Sequence, residues 1–188
     1  LGNTFIDGGR HPSFGTRNFI LPLAHGVYIE VVSALDHPSA QKAPFGRAVA
    51  QRAQAGGGWM SWVVSTTDLS PVEQELGRKA AEGHRIRPDG VDLHWRQIGV
   101  LDTIEHPQSP FFVQWESPQE HHPAFGGEAT GIKVLSMEIN CPSQDLGPMA
   151  TELAPLTDLI RWVHDTETDG FGVNAVTFET PHGHVRID

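Results

Sequence analysis

Apolar and polar positions alternate with a period of two through several short stretches, which predicts strands with one buried face. These stretches are 16–24 (TRNFILPLA), 27–35 (VYIEVVSAL), 59–66 (WMSWVVST), 91–100 (VDLHWRQIGV), 111–117 (FFVQWES), 133–140 (KVLSMEIN), 173–180 (VNAVTFET) and 184–188 (HVRID). They are rich in Val, Ile, Phe and Trp, as strands prefer. Helical signals are fewer. Ser70, Pro71 and Glu73 form a capping pattern that opens a helix over 68–76. A short helix is expected over 46–54. Leu156, Leu159, Ile160 and Val163 at helical spacing predict a helix over 148–164.

Sliding the chain along itself reveals a repeat. DLSPVEQEL at 68–76 and DLGPMATEL at 145–153 share Asp, Leu, Pro, Glu and Leu at the same offsets, and an apolar strand precedes each copy. A second match, near the same period, aligns the start of the chain with the end of the first helix. The unit reads strand–helix–strand–strand–strand. The expected organisation is a first unit over 1–36 that lacks its opening strand and helix, and a linker with a short helix over 37–58. A second unit over 59–117, a linker over 118–131 and a partial third unit over 132–188 follow. The fold class is α+β, with repeated βαβββ units whose curved mixed sheets face a cleft. A sheet short of one strand leaves an open edge, so pairing with the third unit or with another chain, as in a homodimer, is expected.

Charge narrows the partners. Against 13 Lys and Arg stand 23 Asp and Glu, a formal net charge of −10. Nucleic acid and anionic membrane surfaces both need a basic face, so neither is expected as a partner. No apolar run approaches the ~20 residues of a membrane span. The single cysteine, Cys141, can form no internal disulfide, which points to a reducing, cytoplasmic setting and a structural thiol. The residues LGNTFIDGGRH lack the basic start and apolar run of a signal peptide.

Strand alternation then sorts the candidate chemistry. Tyr28, Glu30 and Val32 share one face. So do Phe112, Gln114 and Glu116, and so do His94, Arg96 and Ile98, with Trp95 and Gln97 opposite. An acidic residue within VYIEVV is costly to bury without a partner. Glu30 and Gln114 are expected to look into one hollow, with Arg17 and Arg96 available for an anionic ligand or for Glu30 and Glu116. The candidate ligand-binding set is His11, Arg17, Asn18, Glu30, His94, Arg96, Gln114 and Glu116. Other histidines are expected in plain roles: His121 and His122 in a solvated linker, His184 in a turn, His164 at a helix end.

Three blocks in order, GGRHPSFGTRNFILPL (8–23), YIEVVSALDHP (28–38) and PFFVQWESPQEHHP (110–123), resemble the glyoxalase-like domain group of the vicinal oxygen chelate superfamily. The resemblance covers about residues 1–125. It implies paired units enclosing a cleft, and in metal-dependent members His and Glu ligands from the first and last strands of the units. Here Glu30 falls at such a place, but its counterpart is Gln114, a poor ligand, and 59–66 offers no histidine. A first-row metal needs three or four donors. No cofactor is therefore expected, and Glu30 stands as a weak candidate for a divalent metal. Three functions follow: a cleft for a small organic molecule, a metal-dependent isomerase, lyase or dioxygenase, or a ligand-free interaction module.

Overall fold

A computed structural model describes residues 1–141, 153–164 and 170–188. It is a mixed α+β structure with three sheets. The first sheet is antiparallel, in the order β1 (Ile6–His11), β2 (Thr16–Pro22), β3 (Tyr28–Ala34). Helices α1 (Pro38–Lys42) and α2 (Pro44–Gln54) follow, and α2 packs beside β3. Among the described residues no strand of the other sheets bonds to β3, so the expected pairing with the third unit is not made at this edge.

The second sheet contains β4 (Val63–Ser65), β5 (Ala81–Ile86), β6 (Asp92–Ile98) and β7 (Phe111–Trp115), in the order β4-β7-β6-β5. Its first strand runs parallel to its last. Between β4 and β5 lies α3 (Ser70–Leu76). Ser70 is the first residue of that helix rather than its cap. The Asp68 carboxylate accepts from the Ser70 N–H at 2.9 Å instead. Glu73 makes no capping box; it accepts from the Ala80 N–H and pairs with Lys79 and Arg96. A short α4 (Asp102–Glu105) precedes β7.

The third sheet has the order β11-β10-β8-β9, from β8 (Lys133–Asn140), β9 (Ile160–Val163), β10 (Gly172–Thr180) and β11 (Gly183–Ile187). Ile160–Val163 was expected to be helical. It is a strand, parallel to Met137–Asn140. Ile, Trp and Val suit a pleated edge, and the vacant side of β8 offers the ladder. His164 consequently ends a strand, with Nδ1 bonded to the Cys141 carbonyl at 3.0 Å. The second copy of the repeat's helix, over 145–152, lies outside the described residues. The third sheet also departs from the second in strand order.

Two cores fix which face of each sheet looks where. Leu21 and Leu23 of the first sheet region pack with Ile132, Val176 and Phe178 of the third. Ile98 and Phe112 of the second sheet pack with Leu69 and Val72 of α3 and with Ile139 and Ile160 of the third sheet. The remaining faces of the first and second sheets confront each other. Strand β1 lies against β5 where they meet, and the Gly9 backbone sits close to Ile86 and Pro88. Gly9 has φ +94 at the register shift between Asp7 and Gly9, a conformation that favours glycine.

Candidate functional site

Between these two faces a circuit of side chains closes on itself. On β2, Asn18 shares its face with Ile20, which pairs with Glu30. On β3, Glu30 and Tyr28 follow on that same face. Arg85 reaches across from β5. Its Nη1 donates to Asn18 Oδ1 at 2.7 Å and to His11 Nε2 at 2.6 Å. The His11 ring meets Trp95 at 6.3 Å between centroids, Trp95 meets Trp115 at 5.4 Å, and Trp115 meets His122 at 5.6 Å. His122 returns to Tyr28 at 5.9 Å. Five segments of chain, from β1, β2–β3, β5, β6–β7 and the loop after β7, thus meet through these side chains.

Local sequence explains how each group is held. Trp95 lies flat on Gly83, its cross-strand partner: a Cβ there would come within 2.4 Å of Trp95 Cε2. The Trp95 indole donates to Gln97 Oε1 at 2.9 Å, which fixes the ring plane. Asn18 is wholly buried, with its Oδ1 placed over Gly8, where a Cβ would come within 2.3 Å. His122 Nδ1 accepts from the Ala124 N–H at 3.1 Å.

Glu30 is exposed to solvent at the edge of this cluster. Desolvation raises the Glu30 pKa, against the opposing pull of the Arg85 charge and the Asn18 amide beside it. Tyr28 is likewise pushed up, by desolvation first and by Glu30 second. His11 is pushed down to about 4, chiefly by burial and then by the Arg85 charge. It is therefore neutral at pH 7, as an acceptor from Arg85 must be.

The structure brings His11, Asn18 and Glu30 of the candidate set together and leaves the others elsewhere. Gln114 does not share the hollow with Glu30. Its Oε1 accepts from the Leu69 N–H at 3.3 Å, on the α3 side of the second sheet. Arg96 is on that side too, paired with Glu73. His94 is exposed, 3.2 Å from Asp92 and stacked on His84. Glu116 is exposed. Arg17 lies on the face of the first sheet opposite Asn18, bonded to Asp7 at 2.8 Å and over the Phe19 ring. The physical reason for the inverted face is Ile98 and Phe112. They share alternation with Arg96 and Gln114 and must bury against α3, so the opposite positions, Trp95 and Trp115, line the hollow. Sequence reasoning passed over Arg85 and placed His122 in a solvated linker, whereas its ring meets Tyr28 and Trp115. Arg85 carried one usable signal, a lone cation in a strand whose partner strand alternates.

A divalent ion fits these residues poorly. Among the described residues no group of three or more His, Cys, Asp or Glu side chains could hold a metal. The His11 nitrogen that would ligate is already bonded to a guanidinium, whose charge opposes a cation.

The chain matches the family model of the glyoxalase-like domain over residues 1–157. It belongs to that family. Comparison with curated proteins gives no match, and neither does comparison with solved structures. The family accords with the three-sheet α+β architecture and with the vicinal oxygen chelate type of fold. Among the described residues, no helix of this glyoxalase-like chain is long and apolar enough to cross a membrane.

Proposed function

We propose that this glyoxalase-like protein binds a small organic molecule in the hollow between its first and second sheets. The observation that carries the reading is the ring of contacts between the two sheets, from Arg85 through His11, Trp95, Trp115 and His122 to Tyr28, with the solvent-exposed Glu30 on the same face as Tyr28. Aromatic walls with a few oriented polar groups are the usual make-up of a small-molecule site. The binding set on this reading is His11, Asn18, Tyr28, Glu30, Arg85, Trp95, Trp115 and His122. A thermal-shift screen of small oxygenated and aromatic compounds tests it. Compounds that stabilise the parent chain and lose their effect in Trp115→Leu support the reading. Stabilisation that survives in that variant counts against it.

One observation favours a second reading, that the site performs chemistry. A carboxyl with a raised pKa is suited to proton transfer near neutral pH, so Glu30 would act as general acid or base on the bound molecule. Turnover that vanishes in Glu30→Gln while binding persists would establish it. A metal-dependent reaction draws no support from this donor set, and neither a homodimer nor a cytoplasmic location is needed for the reading.

A further inference from the structure

We propose that the ligand is a planar aromatic carboxylate, its ring against Trp115 and its carboxylate toward Arg85. This rests on the reading of the hollow as a small-molecule site and narrows it to one charge and one shape.

The charge follows from comparing arginines. Arg17, Arg78, Arg87 and Arg96 each lie within ion-pair distance of an Asp or Glu. Arg85 is 3% exposed, the most buried of the described arginines, and among the described residues no carboxylate lies within that distance of it. Its Nη1 bonds go to Asn18 and His11, both neutral. Glu30 is felt through space but makes no direct pair. A cation withdrawn from water with its nearest counter-charge out of direct contact is costly, and an incoming anion relieves that cost.

The hydrogen-bond inventory points the same way. Arg85 Nε is a buried donor without a hydrogen-bond partner among the described residues, whereas the Asn18 amide and the Trp115 indole are turned to Glu30 and Tyr28. Arg85 is more than nine-tenths buried. A site with an unmet donor is completed by acceptors, which a carboxylate supplies in pairs. An ammonium ligand would bring more donors.

Shape comes from the rings. Trp115 stands between Trp95, inclined at 49°, and His122, inclined at 76°. Tyr28 completes that wall against His122. Flat walls in tilted and edge-on arrangement accept a further flat ring.

The test uses the full chain and three probes of one size: benzoate, benzamide and benzylammonium. Tryptophan fluorescence reports Trp95 and Trp115, and calorimetry gives affinities. Benzoate is expected to bind at least tenfold more tightly than either other probe, and Arg85→Gln to abolish that preference. Should Arg85→Gln not fold, Glu30→Gln serves. Its side chain is accessible, and removal of a nearby carboxyl should tighten benzoate several-fold more than it alters benzamide; an equal change in both overturns the charge assignment. Benzamide or benzylammonium binding as tightly as benzoate overturns the charge assignment and leaves the wider reading standing. No binding by any of the three also overturns the inference, and the thermal-shift screen then decides the wider reading.

Discussion

Arg85 of the second sheet donates to Asn18 of the first at 2.7 Å, across 67 residues of sequence, and neither side chain is more than 3% exposed. This bond ties the two sheets together at the base of the hollow. Asn18→Ala removes the acceptor and strands part of a buried guanidinium. Losing a partner of a buried charged group costs about 2–4 kcal/mol. Urea unfolding of Asn18→Ala should show a loss in that range. Asn18→Asp should lose less near neutral pH, because its carboxylate would still accept from Arg85. Equal losses in the two variants would show that the bond carries no weight.

His11 gives the fold an acid sensitivity. In the unfolded chain it takes its proton near 6.5; in the folded chain burial and Arg85 push that down to about 4. Between these values the unfolded state binds the proton and the folded state does not. Stability contributed by neutral His11 is therefore complete above pH 6.5 and falls as pH drops toward 4, by up to about 3 kcal/mol. Glu30, whose pKa is raised, contributes in the opposite sense, since its folded state favours the protonated carboxyl. The clean measurement is the difference between the parent and His11→Gln, which keeps an acceptor for Arg85 but does not titrate. The parent should lose stability relative to the variant between pH 6.5 and 4. Parallel curves would contradict the neutral His11.

Trp95 depends on the absence of a side chain opposite it. With a Cβ only 2.4 Å from the ring, Gly83→Ala forces the indole off its strand partner. Overpacking of this kind costs about 1–3 kcal/mol. The displaced ring should also lose its bond to Gln97 and its placement against His11 and Trp115. Near-ultraviolet circular dichroism, with its tryptophan bands, should change in Gly83→Ala. An unaltered spectrum with unaltered stability would show that the ring has room to spare.

Much of this arrangement was legible in residue order, and what was not has definable causes. Period-two alternation located β2, β3, β6 and β8 closely, because each buries one face or pairs on both sides. It failed at Ile160–Val163, where four residues serve a helix period and a strand equally well and the open side of β8 decided. Alternation also grouped Gln114 with Phe112 correctly but could not say which face of the sheet meets α3. That depends on contacts between Phe112 and Leu69, which are 43 residues apart. Asn18, Glu30 and His11, singled out from the sequence, come together in space, whereas Arg85 was missed because its meaning lies in partners on another sheet.

The two faces of β7 yield the sharpest separation of fold from binding. Gln114 accepts from the Leu69 N–H at the entrance to α3, a single long bond of 3.3 Å, and is half-buried. Trp115, one residue on, stands in the aromatic wall. Gln114→Ala should cost about 1 kcal/mol, the worth of one neutral hydrogen bond. It should leave the binding of any cleft ligand unchanged. Trp115→Leu keeps an apolar side chain on the strand but removes the ring between Trp95 and His122. Ligand affinity should fall at least tenfold in that variant, read by calorimetry on protein shown to be folded by circular dichroism. If Gln114→Ala were the variant that lost the ligand, the hollow would lie on the α3 side of the sheet, and the assignment of both faces would be reversed.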